Sequence, residues 1–178
     1  LSSEWNFPAL ECKSSASNRN SYICRMISPT ELQQRALDFY ANGQIEAALR
    51  DLSAALQQQP GNATAWYNRG IIAAEVGDHD VAIHDLGRAI ALLPDNADLY
   101  HARALSFRAK EDHAAALADV GHAIQLLPED PDNHLLRGNC LVKLGDRKGA
   151  LEAYGEAIRI FPEFVAAWYN RALTFIEQ

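Results

Sequence analysis

The chain contains few lysines and lacks long apolar runs. Only four of its 178 residues are lysine, and its net charge is −7. A nucleic-acid surface needs clustered lysine and arginine, so this balance argues against a nucleic-acid partner. No apolar stretch approaches the roughly 20 residues of a membrane-spanning helix, so we expect no membrane insertion.

Cysteine is also scarce. Cys12, Cys24 and Cys140 show no metal-ligand spacing, and any pairing leaves one thiol over. A reducing compartment is therefore the expectation, and we predict a cytoplasmic protein. A Cys12–Cys24 disulfide is the alternative that the sequence leaves open.

Catalytic motifs are absent from the chain. It has no HExxH sequence, no Walker A loop and no GxSxG elbow. The cluster Asp78-His79-Asp80 falls in a predicted turn, where a solvated helix cap is the better interpretation. We therefore predict no enzyme, no cofactor and no metal site.

Proline, by contrast, recurs at a fixed interval of 34 residues. The prolines on this period are Pro60, Pro94, Pro128 and Pro162. Small residues keep the same period: Ala55, Ala89, Ala123 and Ala157; Ala48, Ala82, Ala116 and Ala150; and Ala36, Gly70, Ala104, Gly138 and Ala172. A constant period of this length indicates stacked repeats, whose function lies in a surface.

One repeat consists of two predicted helices. In the second copy, Gly70 lies in a stripe of apolar residues at helical spacing. Gly77 suits the end of this first helix, and Asp78 can cap the second. Pro94 then stops the second helix, because proline lacks an N–H and clashes with the preceding turn.

The pattern divides the chain at residue 28. Residues 1–28 carry no repeat, and Met26 within them is a candidate natural start, which makes residues 1–25 an upstream stretch; a genuine N-terminal extension is the alternative. The repeats fill 29–178 as units 29–62, 63–96, 97–130, 131–164 and the partial 165–178. The predicted first helices are 30–42, 63–76, 97–110, 131–144 and 165–177, and the predicted second helices are 46–58, 79–92, 113–126 and 147–160.

Two departures from the pattern carry structural predictions. Glu111 replaces the glycine of the turn between helices, so we expect a strained or re-routed turn there. Periodic arginines follow periodic aspartates by eighteen residues, as Arg137 follows Asp119, which predicts ion pairs between successive repeats. Ala153 stands where Arg171 needs its aspartate, so the series should break at that point.

These positions resemble the tetratricopeptide repeat (TPR) family, in which a 34-residue helix pair carries characteristic residues at set positions. The second copy supplies them as Trp66, Gly70, Ala73, Ala82, Leu86, Ala89 and Pro94. The resemblance covers residues 29–178 and implies an all-α, right-handed superhelical solenoid of antiparallel helix pairs, with four full repeats and one leading helix. It also implies a protein that binds other proteins.

In that family the first helices line a concave groove that holds an extended peptide or a partner helix. Carried over by position, the resemblance implies these groove residues: Gln33, Leu37, Tyr40, Tyr67, Asn68, Ile71, Glu75, His101, Leu105, Arg108, Leu135, Asn139, Val142, Tyr169, Asn170 and Leu173. The set is mostly apolar and aromatic with a few amides, which favours a peptide partner with apolar anchors. Taken singly, Ile71, Leu105 and Leu135 are better explained as core residues, whereas Tyr67, Asn139 and Arg108 favour an exposed groove.

A subclass of the family binds the acidic C-terminus of heat-shock chaperones through lysine and asparagine side chains. Its clamp positions fall here on Gln33, Leu37, Asn68, Asp98 and Ala102. Only Asn68 matches, and Asp98 would repel a carboxylate. The sequence therefore argues against that subclass.

Two alternative functions stay open at this stage. The last predicted helix carries Trp168, Ala172 and Phe175 without a second helix to cover them, so the C-terminal end is a candidate surface for homo-oligomer formation. The chain is otherwise a candidate targeting or regulatory domain of a larger enzyme.

Overall fold

The computed structural model describes residues 10–15 and 18–176, and side chains from Met26 to Ile176. It opens with an antiparallel hairpin of β1 (Leu10–Ser15) and β2 (Asn18–Met26). The repeat pattern predicts no element in this segment, and the two strands were missed by the sequence analysis. Its register sets Cys12 opposite Cys24; a disulfide between them stays a prediction.

The rest of the described chain consists of helix pairs. First helices are α1 (Pro29–Ala41), α3 (Ala63–Glu75), α5 (Ala97–Ala109), α7 (Pro131–Lys143) and α9 (Val165–Ile176). Second helices are α2 (Ile45–Gln58), α4 (His79–Leu92), α6 (His113–Leu126) and α8 (Arg147–Ile160). Each helix predicted from the sequence is present, with its ends within one residue of the prediction.

Several helix starts are fixed by side-chain caps, although α2 begins after Gln44 without one. Ser28 accepts the amide of Glu31 while the Glu31 carboxylate accepts the amide of Ser28, which closes a capping box at α1. Asp78 accepts the amide of Val81 at the start of α4, as predicted. These caps satisfy amides that have no partner within the helix.

The turns between paired helices need a left-handed residue. Gly77 and Gly145 both adopt φ 85°. Glu111 occupies the same place with φ 61°, and the amide of Asp112 still bonds to Phe107 O at 3.0 Å, as Asp78 bonds to Ala73 O in the second repeat. The predicted strain is confirmed; the turn is not re-routed, because this hydrogen bond is retained.

The proline and tryptophan positions of the repeat are linked by a hydrogen bond. Trp66 Nε1 donates to Pro60 O at 2.8 Å, and Trp168 Nε1 donates to Pro162 O at the same distance. His134 Nε2 makes the equivalent bond to Pro128 O at 2.8 Å. The large residue at this position therefore binds the loop that ends the preceding helix.

The chain forms two compact units that divide between Arg69 and Gly70. In the first unit, α1 packs on α2 around Ile27, Leu32 and Ala55. In the second unit, each of the helices α4 to α9 packs on the next. Its core includes a cluster around Val120 and Cys140, and a second cluster around Tyr154.

The arginine–aspartate pairs differ from the prediction. Arg103 Nε donates to Asp119 Oδ2 and its Nη2 to Asp119 Oδ1, both at 2.7 Å, and Arg35 binds Asp51 in the same two-pronged way. Each of these pairs joins the two helices of one repeat, not successive repeats. The eighteen-residue pairing was wrong because each of these arginines faces the helix that follows its own, sixteen residues later. Ala153 accordingly stands opposite the position of Arg137, not that of Arg171.

Candidate functional site

The groove residues predicted in the first unit lie on α1 and α3. They are Gln33, Leu37, Tyr40, Tyr67 and Asn68, and all are half-buried or exposed. Gln33 Oε1 already accepts a hydrogen bond from Asn62 Nδ2 at 2.9 Å. The inner part of α1 therefore presents partly satisfied polar groups.

Five groove residues predicted in the second unit line one cavity of about 300 Å³. These are Arg108, Asn139, Val142, Asn170 and Leu173, from α5, α7 and α9. The other predicted residues of this unit lie outside it: Ile71, Glu75, His101, Leu105, Leu135 and Tyr169. None of the six is buried, although Leu135 also packs against two core clusters.

The same cavity contains four residues that the sequence analysis did not select. They are His113, Lys143, Tyr154 and Thr174. Lys143 and Thr174 directly follow the predicted Val142 and Leu173, so a wider window along each helix includes them. Tyr154 was assigned to packing alone, although its hydroxyl gives it a hydrogen-bonding group that Leu52 and Leu86 lack at the same repeat position.

Asn139 is the centre of a polar network in this cavity. Its Oδ1 accepts hydrogen bonds from the Tyr154 hydroxyl at 2.9 Å and from Asn170 Nδ2 at 2.8 Å. Thr174 Oγ1 donates to the carbonyl of Asn170 at 2.8 Å. Three helices thereby hold the two amide side chains in one orientation.

This network leaves one donor and one acceptor for a ligand. Asn139 Nδ2 and Asn170 Oδ1 form no hydrogen bond within the described part of the chain. A peptide unit needs both an acceptor for its N–H and a donor for its C=O. The pair therefore matches one peptide group of an extended ligand.

Burial affects the chemistry of the tyrosine in the network. Tyr154 is 2 % exposed, and this burial raises its pKa from 10.0 to about 12. The side chain is therefore neutral throughout the physiological pH range, and its hydroxyl donates a hydrogen bond to Asn139.

The charge of the cavity is opposite in sign to that of the whole chain. Arg108 and Lys143 carry positive charge, His113 contributes an imidazole, and no acidic residue among those that the structure describes lines the cavity. Neither Arg108 nor Lys143 forms an ion pair with any described residue. The cavity thus holds two cationic groups that have no partner in this part of the chain.

His101 is held away from this cavity by a buried polar pair. Its Nδ1 donates to Asn133 Oδ1 at 2.7 Å, and Asn133 Nδ2 donates to Asp130 Oδ2 at 2.7 Å. Asn133 is 1 % exposed, at a repeat position where Ala65 and Leu99 are apolar. The pattern of apolar positions did not predict this network, because it reads position 133 as core.

A separate surface is the exposed face of α9. Trp168 and Phe175 are each 50 % exposed, and Ala172 is exposed as well. One repeat earlier, the counterparts Gly138 and Leu141 are buried. Several apolar side chains of α9 are therefore in contact with solvent.

No group of three or more histidine, cysteine, aspartate or glutamate side chains that could hold a metal ion occurs among the described residues. Within the same residues, no helix is long and apolar enough to cross a bilayer.

Paired helices stacked in register define a class, the all-α helical repeat solenoids. The tetratricopeptide repeat model matches residues 34–97 and 72–134, and a second TPR repeat model matches 138–178. The chain belongs to the tetratricopeptide repeat family. Because the fold and the family agree, the predicted fold class is confirmed. No curated protein sequence matches the chain.

Solved structures with the same fold are distant in sequence. The crystal structure of MamA protein is 22% identical with a TM-score of 0.80, and the match covers 83% of this chain and 81% of that one. YrrB, described as a TPR protein with an unusual peptide-binding site, is 22% identical with a TM-score of 0.75, over 84% of this chain and 77% of its own. The first TPR of Spaghetti, bound to the HSP90 peptide SRMEEVD, is 20% identical with a TM-score of 0.63, over 65% and 91% of the two chains.

Proposed function

We propose that the protein is a non-enzymatic scaffold that binds an extended peptide along the first helices of its second unit. The observation that carries this proposal is the oriented amide pair of Asn139 and Asn170. Around this pair, Val142 and Leu173 form an apolar part of the cavity wall, which suits a ligand with apolar anchors. Peptide binding by two structural neighbours, YrrB and the first TPR of Spaghetti, supports the same class of ligand.

The energetics favour backbone recognition at this site. An amide that is already fixed by Tyr154 loses little conformational entropy when a ligand binds, and such preorganisation increases affinity. Tyr154 itself lies beneath Asn139 and contributes by positioning. Exposed apolar residues such as Leu105, which is 37 % exposed, offer contact area along the same helices.

The test uses a displayed library of random 12-residue peptides, from which those that bind the protein are selected. Binding of a selected peptide is then measured by fluorescence anisotropy. The groove variant Leu105→Ala with Asn170→Ala should bind at least about tenfold more weakly, because it removes one apolar contact and one oriented hydrogen bond.

The matched control is Gln125→Ala with Leu126→Ala, which makes the same kind of truncation on exposed positions of α6. It should bind as the parent does, and circular dichroism should show equal helicity in all three proteins. Unchanged affinity in the groove variant would disprove the proposal.

A second candidate function is self-assembly through α9, favoured by the exposure of Trp168 and Phe175. Association of two copies through this face should disappear in Phe175→Asp, because a carboxylate in an apolar interface loses its hydration. Light scattering over a concentration series measures it. A parent that stays monomeric at the highest concentration would exclude this function.

A further inference from the structure

The cavity beside the amide pair has an unusual charge for this protein. The chain carries a net charge of −7, yet Arg108, Lys143 and His113 line one cavity, and no acidic side chain from the described part of the chain lines it. The acids nearest in sequence to Arg108 and His113 are Glu111 and Asp112, and the one nearest to Lys143 is Asp146. None of the three lines the cavity, and Asp112 Oδ1 accepts the amide of Ala115 at 3.0 Å. Within the described residues, the positive groups are therefore not neutralised locally.

Helix termini explain part of this arrangement but not all of it. Arg108 stands in the last turn of α5 and Lys143 in the last turn of α7, where a positive charge complements the helix dipole. That role requires only that each side chain stay near its own helix end. It does not require two separate helices to direct their cations to the same cavity.

We propose that this cavity receives the carboxylate of an aspartate or glutamate side chain of the bound peptide. The inference rests on the proposed function and adds a specificity to it. Arg108 offers a planar fork of donors that fits a carboxylate, and Lys143 adds a point charge. A volume of about 300 Å³ is at the lower end of ligand pockets and suits a side chain.

The geometry links this charge site to the amide pair. Asn139, Asn170, Arg108 and Lys143 line the same cavity, so one short peptide segment reaches all four. The amides hold the backbone of that segment, and the cations hold one acidic side chain close to it. Leu173 and Val142 offer apolar surface to an apolar side chain next to that acidic residue in the peptide. The predicted ligand is therefore an extended segment with an acidic residue beside an apolar one.

This site differs from the heat-shock clamp that the sequence argued against. The clamp positions fall on Gln33, Leu37, Asn68, Asp98 and Ala102, and none of these lines the cavity. The acidic residue of the ligand would lie near the helix ends that carry Arg108 and Lys143.

The experiment selects the same random 12-residue library on three proteins: the parent, Arg108→Glu with Lys143→Glu, and the control Arg50→Glu with Lys148→Glu. Both double variants change the net charge by the same amount, and neither control position lines the cavity. Parent and control should enrich aspartate or glutamate at one fixed position. The cavity variant should enrich lysine or arginine there instead.

Anisotropy gives the magnitude for one selected peptide. Replacing its acidic residue by glutamine should weaken binding to the parent about tenfold or more, as expected for hydrogen bonds to a charged group. The same replacement should leave binding to Arg108→Gln with Lys143→Gln unchanged. This neutral variant also covers the case in which charge reversal unfolds the domain, which circular dichroism detects.

The outcomes separate the two proposals. Selected peptides without an acidic preference, or a preference that persists in both cavity variants, overturn the carboxylate site and leave peptide binding intact. Failure to enrich any peptide on the parent overturns the proposed function and, with it, this inference.

Discussion

The ring of Tyr154 lies directly on the backbone of Gly138. A Cβ atom at residue 138 would stand 2.3 Å from Tyr154 Cε1, a distance that real Cβ contacts do not show. At the same place in the second repeat, Gly70 meets the smaller Leu86, whose Cγ would stand 2.9 Å from such a Cβ. The missing side chain at 138 lets the tyrosine ring extend across α7, so that its hydroxyl reaches Asn139.

Gly138→Ala should therefore destabilise the protein. Overpacking a well-filled contact costs about 1–3 kcal/mol. Replacing glycine by alanine in a helix gains about 1 kcal/mol in helix propensity. The cost exceeds this gain over most of its range. Urea unfolding followed by circular dichroism measures the change. Gly138→Ala with Tyr154→Val, which imitates Ala104 and Val120 in the third repeat, should recover part of the loss.

The matched control is Gly121→Ala in α6, where a new Cβ meets no atom within 4 Å. This substitution should stabilise the protein by about 0.5–1 kcal/mol, because alanine loses less backbone entropy than glycine in a helix. Equal effects of the two substitutions would contradict the packing argument.

Alkaline pH should weaken the protein through Tyr154. Burial raises the pKa of Tyr154 from 10.0 to about 12, so the folded state favours the neutral phenol more than the unfolded state does. The contribution of the neutral Tyr154 side chain to stability is complete below pH 10. It declines above pH 10, as the unfolded chain releases the proton, and is lost by about pH 12.

The comparison protein for this prediction is Tyr154→Phe, which cannot titrate at that position. At neutral pH it should be less stable by about 1 kcal/mol, since the hydrogen bond to Asn139 is gone. The difference in melting temperature between the two proteins should narrow above pH 10 and reverse in sign by about pH 12, because a shift of this size outweighs one hydrogen bond. A difference that stays constant over this range would show that Tyr154 is not shifted.

The turn at Glu111 offers a stabilising substitution. A non-glycine residue in the left-handed region costs about 1–2 kcal/mol, and Glu111 has φ 61°. Glu111→Gly should raise the free energy of unfolding by about 1 kcal/mol, since the turn keeps its hydrogen bonds. Thermal unfolding measures the gain.

The reverse change tests the same cause. Gly145 has φ 85° and free space around it, so Gly145→Ala should lose stability through backbone strain alone. If Glu111→Gly gives no gain while Gly145→Ala is costly, the glutamate side chain makes a compensating contact.

The ion pair of Arg103 should contribute much more to the free energy of unfolding than Arg137, which has no such partner among the described residues. Asp119 is 4 % exposed, so Arg103→Met leaves a nearly buried carboxylate without its partner, a change that costs about 3–5 kcal/mol. Arg137→Met keeps a similar apolar stem and breaks no ion pair among the described residues. Its urea midpoint should equal that of the parent, and a comparable loss in both variants would mean that the pair of Arg103 with Asp119 is not the source of the loss.

Much of the fold followed from spacing alone. A 34-residue period with proline, glycine and alanine at constant places leaves one arrangement of helix and turn, because each of those residues restricts the backbone or the space beside it. Every predicted helix is present within one residue, and Glu111 was identified as the strained turn. The hairpin at Leu10–Met26 gave no such signal, since it has no repeat and no clear alternation.

The predicted groove residues stay a prediction as a set, although the structure gathers five of them around one cavity. Periodicity names the inward positions of each first helix, which is why Asn139 and Asn170 were selected. It does not show side-chain hydrogen bonds between helices. Tyr154, Lys143 and His113 were missed because they reach the cavity from a second helix or from helix ends.

The sequence by itself determined the family, the helix pairs and the positions of the turns, because these depend on local backbone limits that repeat every 34 residues. Only the tertiary structure decided which helix each arginine faces, and that the contact of Tyr154 with Gly138 fixes the amide of Asn139. It also brought Arg108 and Lys143 to one cavity. Such contacts depend on the angle and depth at which neighbouring helices pack, and no single repeat encodes that geometry.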